Sequence, residues 1–334
     1  MAAAVKYILI ALIIFAIAFV AWFFIGTPKK AEKMVWGVNF SMKQTDFLGL
    51  DPKEVYLAYL DDLKAKNIKI SVHWDLIEPE QGVYDFSDLD WQMKEAEKRN
   101  VDIILAIGMR TPRWPECHLP QWSLGMDKAS QQKEIMSMLE TVVNRYKDSA
   151  VLSAWQVENE TFLKFGACPW ADEKFLRQEV AFVKQLDQKK HPIITTDSGE
   201  MSFWFKTASI GDIVGFTTYR NVWQTQLKFY FSYEPFYTPV FYYKRAELIN
   251  ALFNKKAIGV ELQAEPWCPN SVASTSIEDQ QKTMSLQQLK KNINFAERTG
   301  ISTYYLWGGE WWYWMKTKQN HLEYWDEMKN IFAN

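Results

Sequence analysis

Carboxylate side chains follow two apolar segments of the chain in a pattern that suits acid–base chemistry. The first segment ends in Trp155-Gln156-Val157-Glu158-Asn159-Glu160, and the second ends in Ile258-Gly259-Val260-Glu261. Hydrolysis of a glycosidic bond requires two carboxyl groups, one that protonates the leaving oxygen and one that attacks or activates water. Glu160 and Glu261 are far apart in sequence, so they form such a pair only in a fold that brings the two segment ends together.

Each candidate has a neighbouring carboxylate as an alternative. Glu158 has the same strand parity as Glu160 and could face the same way. Glu265 follows Glu261 by four residues, but it precedes Pro266, which disfavours a strand that continues this far. Glu261 is therefore the predicted nucleophile, whereas the choice of Glu160 over Glu158 depends on the family resemblance described below.

Eight short apolar or β-branched runs alternate with helical patterns, which predicts a (β/α)8 barrel. In such a barrel the catalytic residues lie at the carboxyl ends of the strands. A doubly wound open sheet is the alternative, but no glycine-rich phosphate loop follows the first run. The least regular link is the fifth, where Met201–Ser209 is the predicted helix. The runs are Val35–Phe40, Ile68–His73, Val101–Ile107, Val151–Val157, Pro192–Thr196, Asp212–Thr218, Ala257–Glu261 and Ser302–Trp307.

Aromatic residues are frequent, with 16 Trp, 15 Tyr and 21 Phe. Aromatic rings either fill a core or stack on the apolar faces of sugars. Half of the tryptophans lie at or just after the ends of predicted strands, and this position favours a sugar-binding cleft. His73 lies there too, either lining the cleft or serving a structural role. These tryptophans are Trp74, Trp114, Trp170, Trp223, Trp267, Trp307, Trp311 and Trp312.

An apolar segment precedes the barrel pattern. Tyr7–Ile25 contains no charged residue, and as a helix it would span about 28 Å, the thickness of a bilayer core. A cleaved signal peptide is the alternative, but no small-residue cleavage site follows. We predict a membrane anchor with its linker at residues 1–33 and one domain at residues 34–334.

Three cysteines, Cys117, Cys168 and Cys268, lie in predicted loops at the carboxyl ends of the strands. Their spacing matches no familiar zinc-binding pattern, so a disulfide between loops is the stronger prediction if the domain is exported. Cysteine usage by itself does not settle the compartment.

The strand-end residues resemble those of the clan A glycoside hydrolases, which include cellulases, mannanases and β-galactosidases. In that clan an Asn-Glu pair ends strand four, a Tyr or His ends strand six, a Glu ends strand seven and a Trp ends strand eight. Asn159-Glu160, Tyr219, Glu261 and Trp307 match these positions in order. The segment from Trp74 to Phe86 also resembles the strand-two loop of the clan.

Two departures from the clan pattern concern the surroundings of the nucleophile. Lys69 stands where many members have an arginine on strand two, and no histidine ends strand three.

The resemblance implies a retaining glycosidase that acts on a β-linked saccharide, with Glu160 as acid/base and Glu261 as nucleophile. This chemistry requires no metal or organic cofactor. A transglycosylase that uses the same two carboxylates and a non-catalytic sugar-binding barrel are the alternatives. The expected substrate contacts are Asn159, Tyr219, Trp307, Trp74, His73, Trp267 and Trp311.

Partners and location follow from charge and from the presumed substrate. Lys and Arg total 38 against 40 Asp and Glu, so no basic surface for nucleic acid is expected. A carbohydrate and a membrane, the latter through residues 7–25, are the predicted partners. Lys29, Lys30 and Lys33 favour a cytoplasmic domain by the positive-inside rule, but a polysaccharide or surface glycan would lie outside. We therefore expect an extracytoplasmic domain.

Overall fold

The computed structural model describes residues 2–333, so Met1 and Asn334, the outer limits of the two predicted segments, lie outside the described residues. Eight parallel strands close into a barrel, and helices connect them on the outside, which confirms the predicted (β/α)8 fold. Each barrel strand pairs with the next in sequence, and the last pairs with the first. The boundary between residues 33 and 34 stays a prediction.

The barrel strands coincide closely with the predicted runs, and a two-stranded antiparallel hairpin, β7–β8, is inserted after the sixth. The pattern of β-branched and apolar residues explains the agreement, because strands buried on both faces have few polar residues. The strands are β1 Val35–Phe40, β2 Asn67–Ser71, β3 Asp102–Ile107, β4 Leu152–Val157, β5 Ile193–Asp197, β6 Ile213–Thr218, β7 Asn221–Gln224, β8 Phe229–Ser232, β9 Ala257–Gln263 and β10 Thr303–Trp307.

Several helices begin at side chains that cap their free backbone N–H groups. Asp51, Asp127, Asp172, Ser276 and Ser285 accept such hydrogen bonds at the starts of α3, α6, α7, α10 and α11. The helices are α1 Ala2–Trp22, α2 Met42–Phe47, α3 Pro52–Asp61, α4 Trp74–Ile77, α5 Ser87–Glu97, α6 Lys128–Tyr146, α7 Glu173–Leu186, α8 Phe205–Ala208, α9 Pro239–Phe253, α10 Ile277–Met284, α11 Leu286–Arg298, α12 Gly309–Lys318 and α13 Glu323–Ala333.

The link between β5 and β6 is less helical than predicted. The expected helix Met201–Ser209 is reduced to α8, the four residues Phe205–Ala208. Arg245 on α9 donates hydrogen bonds to the carbonyls of Gly199 and Ser202, so the preceding backbone is held as a loop.

Side chains from several strands meet inside the barrel. Lys69 on β2 pairs in register with Ile104 on β3 and therefore faces the same side of the sheet, toward this interior. The apolar members of this cluster are Ile104, Ala154, Ile194, Ile213, Ile258, Val260 and Tyr305.

The helix α1 is apolar, and its side chains from Val5 to Val20 are exposed. By length and composition, Val5–Trp22 is a candidate membrane span, and a signal sequence has the same properties. The helix ends at Trp22, three residues before the predicted end of the span at Ile25. The next residue, Phe23, is buried against Phe203 and Phe241 of the barrel domain.

Candidate active site

The predicted catalytic residues lie at or near the carboxyl ends of three barrel strands. Glu261 lies on β9 opposite Thr217 of β6, and Tyr219 directly follows β6. Glu160 follows the end of β4 by three residues. All are connected by hydrogen bonds and charge interactions, so the barrel brings together residues that are distant in sequence.

Both carboxylate oxygens of Glu261 receive a hydrogen bond. The Tyr219 phenol donates to Oε2 at 2.7 Å, and the Lys69 ammonium donates to Oε1 at 3.4 Å. Burial and the negative charge of Glu261 raise the pKa of Tyr219 well above 10, so the phenol remains a donor. Lys69 therefore supplies a cation beside this carboxylate from strand two, where many clan members have an arginine.

Glu160 has the surroundings of a carboxyl group that keeps its proton. Burial, and then the charge of Glu261, raise the pKa of Glu160 well above 4.5. The Thr217 hydroxyl donates to its Oε1 at 2.7 Å, and its backbone N–H donates to the Thr196 hydroxyl at 2.8 Å. A raised carboxyl pKa favours the protonated form that general acid catalysis requires.

The amide of Asn159 is oriented by three side chains. Its oxygen accepts hydrogen bonds from Gln156 at 3.1 Å and from the Thr196 hydroxyl at 3.2 Å. Its nitrogen donates to Oε2 of Glu116 at 3.1 Å. Burial and the charge of Glu261 raise the pKa of Glu116 to about 7. The amide therefore presents its N–H₂ group, and not its oxygen, for further hydrogen bonds.

Glu158, the alternative acid/base, holds the loop that follows β3. Its carboxylate accepts hydrogen bonds from the backbone N–H groups of Met109 at 2.7 Å and Arg110 at 3.0 Å. Glu158 and Glu160 both have positive φ, 58° and 41°, which is not strand backbone. The rule that residues two apart on a strand face the same side therefore does not apply to them. This engagement of Glu158 favours Glu160 as the acid/base.

Glu265, the alternative nucleophile, forms a buried ion pair with Arg113. Arg113 also lies 3.4 Å from Oε2 of Glu310, and its guanidinium stacks 4.0 Å from the centre of the Trp307 ring. Because Arg113 occupies the carboxylate of Glu265, the geometry favours Glu261 as the nucleophile.

The predicted aromatic contacts divide into two groups. Trp267 is half-buried, and its ring lies 4.9 Å from that of Tyr219, so it is available to stack on a sugar. Trp307 lies beneath Arg113 and is buried, with 6% of its surface exposed.

The other group lies in the core. Trp74 and Trp311 are fully buried, and their indole N–H groups donate to Glu78 and Gln280. His73 is buried between the hydroxyls of Ser41 and Thr111, each 3.0 Å from a ring nitrogen. Trp74, Trp311 and His73 thus occupy buried, hydrogen-bonded positions, and their contact with substrate stays a prediction.

Several site residues were not predicted from the sequence, among them Thr217, Glu116 and Arg113. Thr217 could have been found, because two-residue alternation from Tyr219 places it on the same face of β6. Glu116 and Arg113 lie in the irregular loop after β3, and no sequence pattern indicates where their side chains point.

A disulfide joins Cys117 and Cys168, linking the loops that follow β3 and β4, and Cys268 is free. The expectation of a disulfide between loops is thereby confirmed. Within residues 2–333, no group of three or more His, Cys, Asp or Glu side chains is arranged to hold a metal ion.

Sequence comparisons find similarity to β-galactosidases over part of the chain. Residues 60–124 match the family model of glycoside hydrolase family 42, described as beta-galactosidase. Beta-galactosidase BgaA of Clostridium cellulovorans is 25% identical in an alignment 159 positions long that covers 41% of this chain. The match spans only 24% of that protein's length.

Solved structures share the fold. The polyextremophilic beta-galactosidase of the haloarchaeon Halorubrum lacusprofundi gives a TM-score of 0.55 at 14% identity, over 82% of this chain and 52% of that chain. GH5_18 of Streptomyces cattleya, solved with GlcNAc, gives 0.59 at 12% identity, over 83% and 70% of the two chains. Xylanase 10B of Thermotoga petrophila, solved with xylobiose, gives a TM-score of 0.55 at 15% identity, over 83% of this chain and 82% of that chain. The barrel, the strand-end residues and these matches together confirm the resemblance of this chain to the clan A glycoside hydrolases.

Proposed function

We propose that this chain is a retaining glycoside hydrolase that cleaves a β-linked oligo- or polysaccharide. The observation that carries the proposal is the contrast between two neighbouring carboxyl groups. Glu261 is held by the donors Tyr219 and Lys69, whereas the pKa of Glu160 is raised well above its usual value. A carboxylate held by two donors, beside a carboxyl group whose pKa is raised, suits the roles of nucleophile and acid.

The reaction proceeds in two steps. Glu261 attacks the anomeric carbon while Glu160 transfers its proton to the leaving glycosidic oxygen, which gives a glycosyl ester on Glu261. Glu160, now ionised, accepts a proton from water, and the resulting hydroxide attacks the same carbon and releases the sugar with retained configuration. The N–H₂ group of Asn159 donates to the sugar 2-hydroxyl.

Substrate stacking is assigned first to the half-buried ring of Trp267, because the ring of Trp307 is 6% exposed and is covered on one face by Arg113. The similarity to β-galactosidases makes β-galactosides the first substrates to test. Structural neighbours solved with Manb1-4GlcNAc and with xylobiose add β-mannosides and β-xylosides to the panel.

We also propose that α1 anchors the domain on the extracytoplasmic side of a membrane. The disulfide between Cys117 and Cys168 supports this side, since structural disulfides persist in oxidising compartments. The protein should resist carbonate extraction and keep its original amino terminus, and protease added to intact cells should digest the domain. A mature terminus near Lys29 or Met34 would contradict the anchor, and full protection from protease would contradict the location.

The catalytic proposal is tested with the full chain in detergent on a panel of aryl β-glycosides and defined β-linked oligosaccharides. Proton NMR should show the β-anomer as the first product. Glu160→Gln and Glu261→Gln serve as controls for contaminating activity. A first product that is the α-anomer would refute the double displacement. Transfer products that dominate over hydrolysis would favour the transglycosylase, and binding without turnover would favour the sugar-binding barrel.

A further inference from the structure

A continuous series of aromatic rings connects the hairpin β7–β8 to the end of α1. Successive ring centroids are 4.9 to 6.1 Å apart along the hairpin and onto α9. Phe241 of α9 contacts Phe23, which directly follows α1, and Phe23 contacts Phe203 of the loop after β5. We call six of these residues the aromatic belt: Phe203, Phe229, Phe231, Tyr233, Tyr237 and Phe241.

The belt and its neighbours expose much apolar surface. Leu227 at the tip of the hairpin is 69% exposed, Phe236 is 57% exposed and Phe203 is 49% exposed. Contiguous apolar surface of this kind on a folded domain marks a site that contacts another protein or a membrane.

The composition of the segment favours a lipid interface. Ten of the 23 residues from Asn221 to Tyr243 are aromatic, while Lys228 and Glu234 are the charged residues among them. Half of these rings are tyrosines, which have an apolar body and a polar hydroxyl, and all of these tyrosines except the buried Tyr242 are partly exposed. Tyrosine and tryptophan are enriched at the level of lipid headgroups for this reason.

We propose that the aromatic belt docks on the bilayer into which α1 inserts, which rests on the proposed membrane anchor. Continuity with α1 is the argument for a lipid occupant. Phe23 is buried against the belt one residue after the exposed apolar helix ends, so the belt begins where the candidate span ends. On this basis the domain lies against the membrane surface and does not hang from a free linker.

Docking through the belt also indicates which class of saccharide can reach the active site. The hairpin begins two residues after Tyr219, and the side chain of Gln263 on β9 accepts hydrogen bonds from the backbone N–H groups of Arg220 and Asn221. The base of the hairpin is therefore fixed beside the residue that holds Glu261. A belt resting on lipid places the catalytic cleft at the membrane surface, within reach of the saccharide headgroup of a membrane lipid.

The docking is tested with fluorophores attached to single cysteines in the full chain. The chain carries Cys268→Ser, its disulfide is kept intact, and it is reconstituted into phosphatidylcholine vesicles containing doxyl-labelled lipid. Phe236→Cys reports on the belt, because the ring of Phe236 stacks 6.0 Å from that of the belt residue Phe231. Leu322→Cys is the matched control, because it is similarly exposed and apolar but lies between α12 and α13. Ala16→Cys reports on the anchor.

We expect the doxyl lipid to quench the labels at positions 236 and 16 and to leave the label at 322 nearly unchanged. Quenching at 16 with equally weak quenching at 236 and 322 would overturn the docking and leave the anchor intact. No quenching at 16 would overturn both. Hydrolysis of a soluble aryl glycoside is measured on the same samples, so failure of the proposed activity is seen separately.

The substrate class is tested by the double variant Phe203→Ser/Phe236→Ser, with Leu322→Ser as control. Its rate on a β-glycoside displayed on vesicle lipid should fall several-fold relative to its rate on a soluble aryl glycoside, and the control should keep the original ratio. An unchanged ratio in the double variant would overturn the inference about the substrate.

Discussion

Replacing Glu160 with Gln removes the transferable proton and keeps the shape of the side chain. The Gln carbonyl can still accept the hydrogen bond that Thr217 donates at 2.7 Å, so the fold should be retained. General acid–base catalysis contributes roughly 10²–10⁴ in rate, or about 2.7–5.4 kcal/mol. We expect a loss of kcat/KM of this size for disaccharides and alkyl glycosides, whose leaving groups need the proton.

An activated substrate separates the two steps of the reaction. A dinitrophenolate leaves without protonation, so kcat/KM for a dinitrophenyl glycoside should stay within about tenfold of the original enzyme. The kcat of the variant on this substrate should fall, because the water that attacks the intermediate no longer has a general base. Stopped-flow absorbance should therefore show a burst of dinitrophenolate. Thermal unfolding of the variant serves as the control for folding. Equal losses of kcat/KM on both substrates would refute Glu160 as the acid and turn attention to Glu158.

Three further predictions concern the surroundings of the pair. Tyr219→Phe removes a hydrogen bond to a charged carboxylate, which is worth about 1.5–3 kcal/mol. The kcat should therefore fall roughly 10- to 150-fold with little change in KM. An unchanged kcat would refute the contact with Glu261. Because the pKa of Glu160 is raised well above 4.5, kcat/KM should fall as pH rises through that raised value. A fall in kcat/KM that already begins as pH rises through 4.5 would contradict this. Cys117→Ser opens a link between residues 51 apart in sequence and should cost about 4 kcal/mol in denaturant unfolding. Cys168→Ser should do the same, and reductant should then have no further effect.

The barrel could be predicted because the information is local. Each barrel strand is a run of mostly β-branched and apolar residues. Both ends of each strand lie within two residues of the ends of the predicted run. The hairpin β7–β8 was not predicted, since its strands have four residues each and neither alternates apolar with polar side chains.

The sequence predicted which strand ends carry the candidate site, but it did not predict the directions of the side chains there. Trp74 and Trp311 follow strand ends, as expected for cleft residues, but Trp74 begins α4 and Trp311 lies in the first turn of α12. The helical backbone turns both rings into the core. The position of a residue after a strand predicts the end of the barrel at which it lies. Helix geometry and packing determine the direction of its side chain.

Other contacts depend on the whole fold. The contact of Lys69 with Glu261 requires β2 and β9 to face each other across the barrel interior. The ion pair of Arg113 with Glu265 joins two irregular loops, whose paths no periodic pattern encodes.

Trapping of the covalent intermediate tests the central claim most directly. A 2-deoxy-2-fluoro glycoside with a good leaving group slows both steps, and the second becomes slow enough for the glycosyl ester to accumulate. We expect a peptide whose mass is increased by one fluorosugar, with the ester on Glu261, and no such peptide from Glu261→Gln. An ester on Glu265, or a product of inverted configuration with no ester at all, would contradict it.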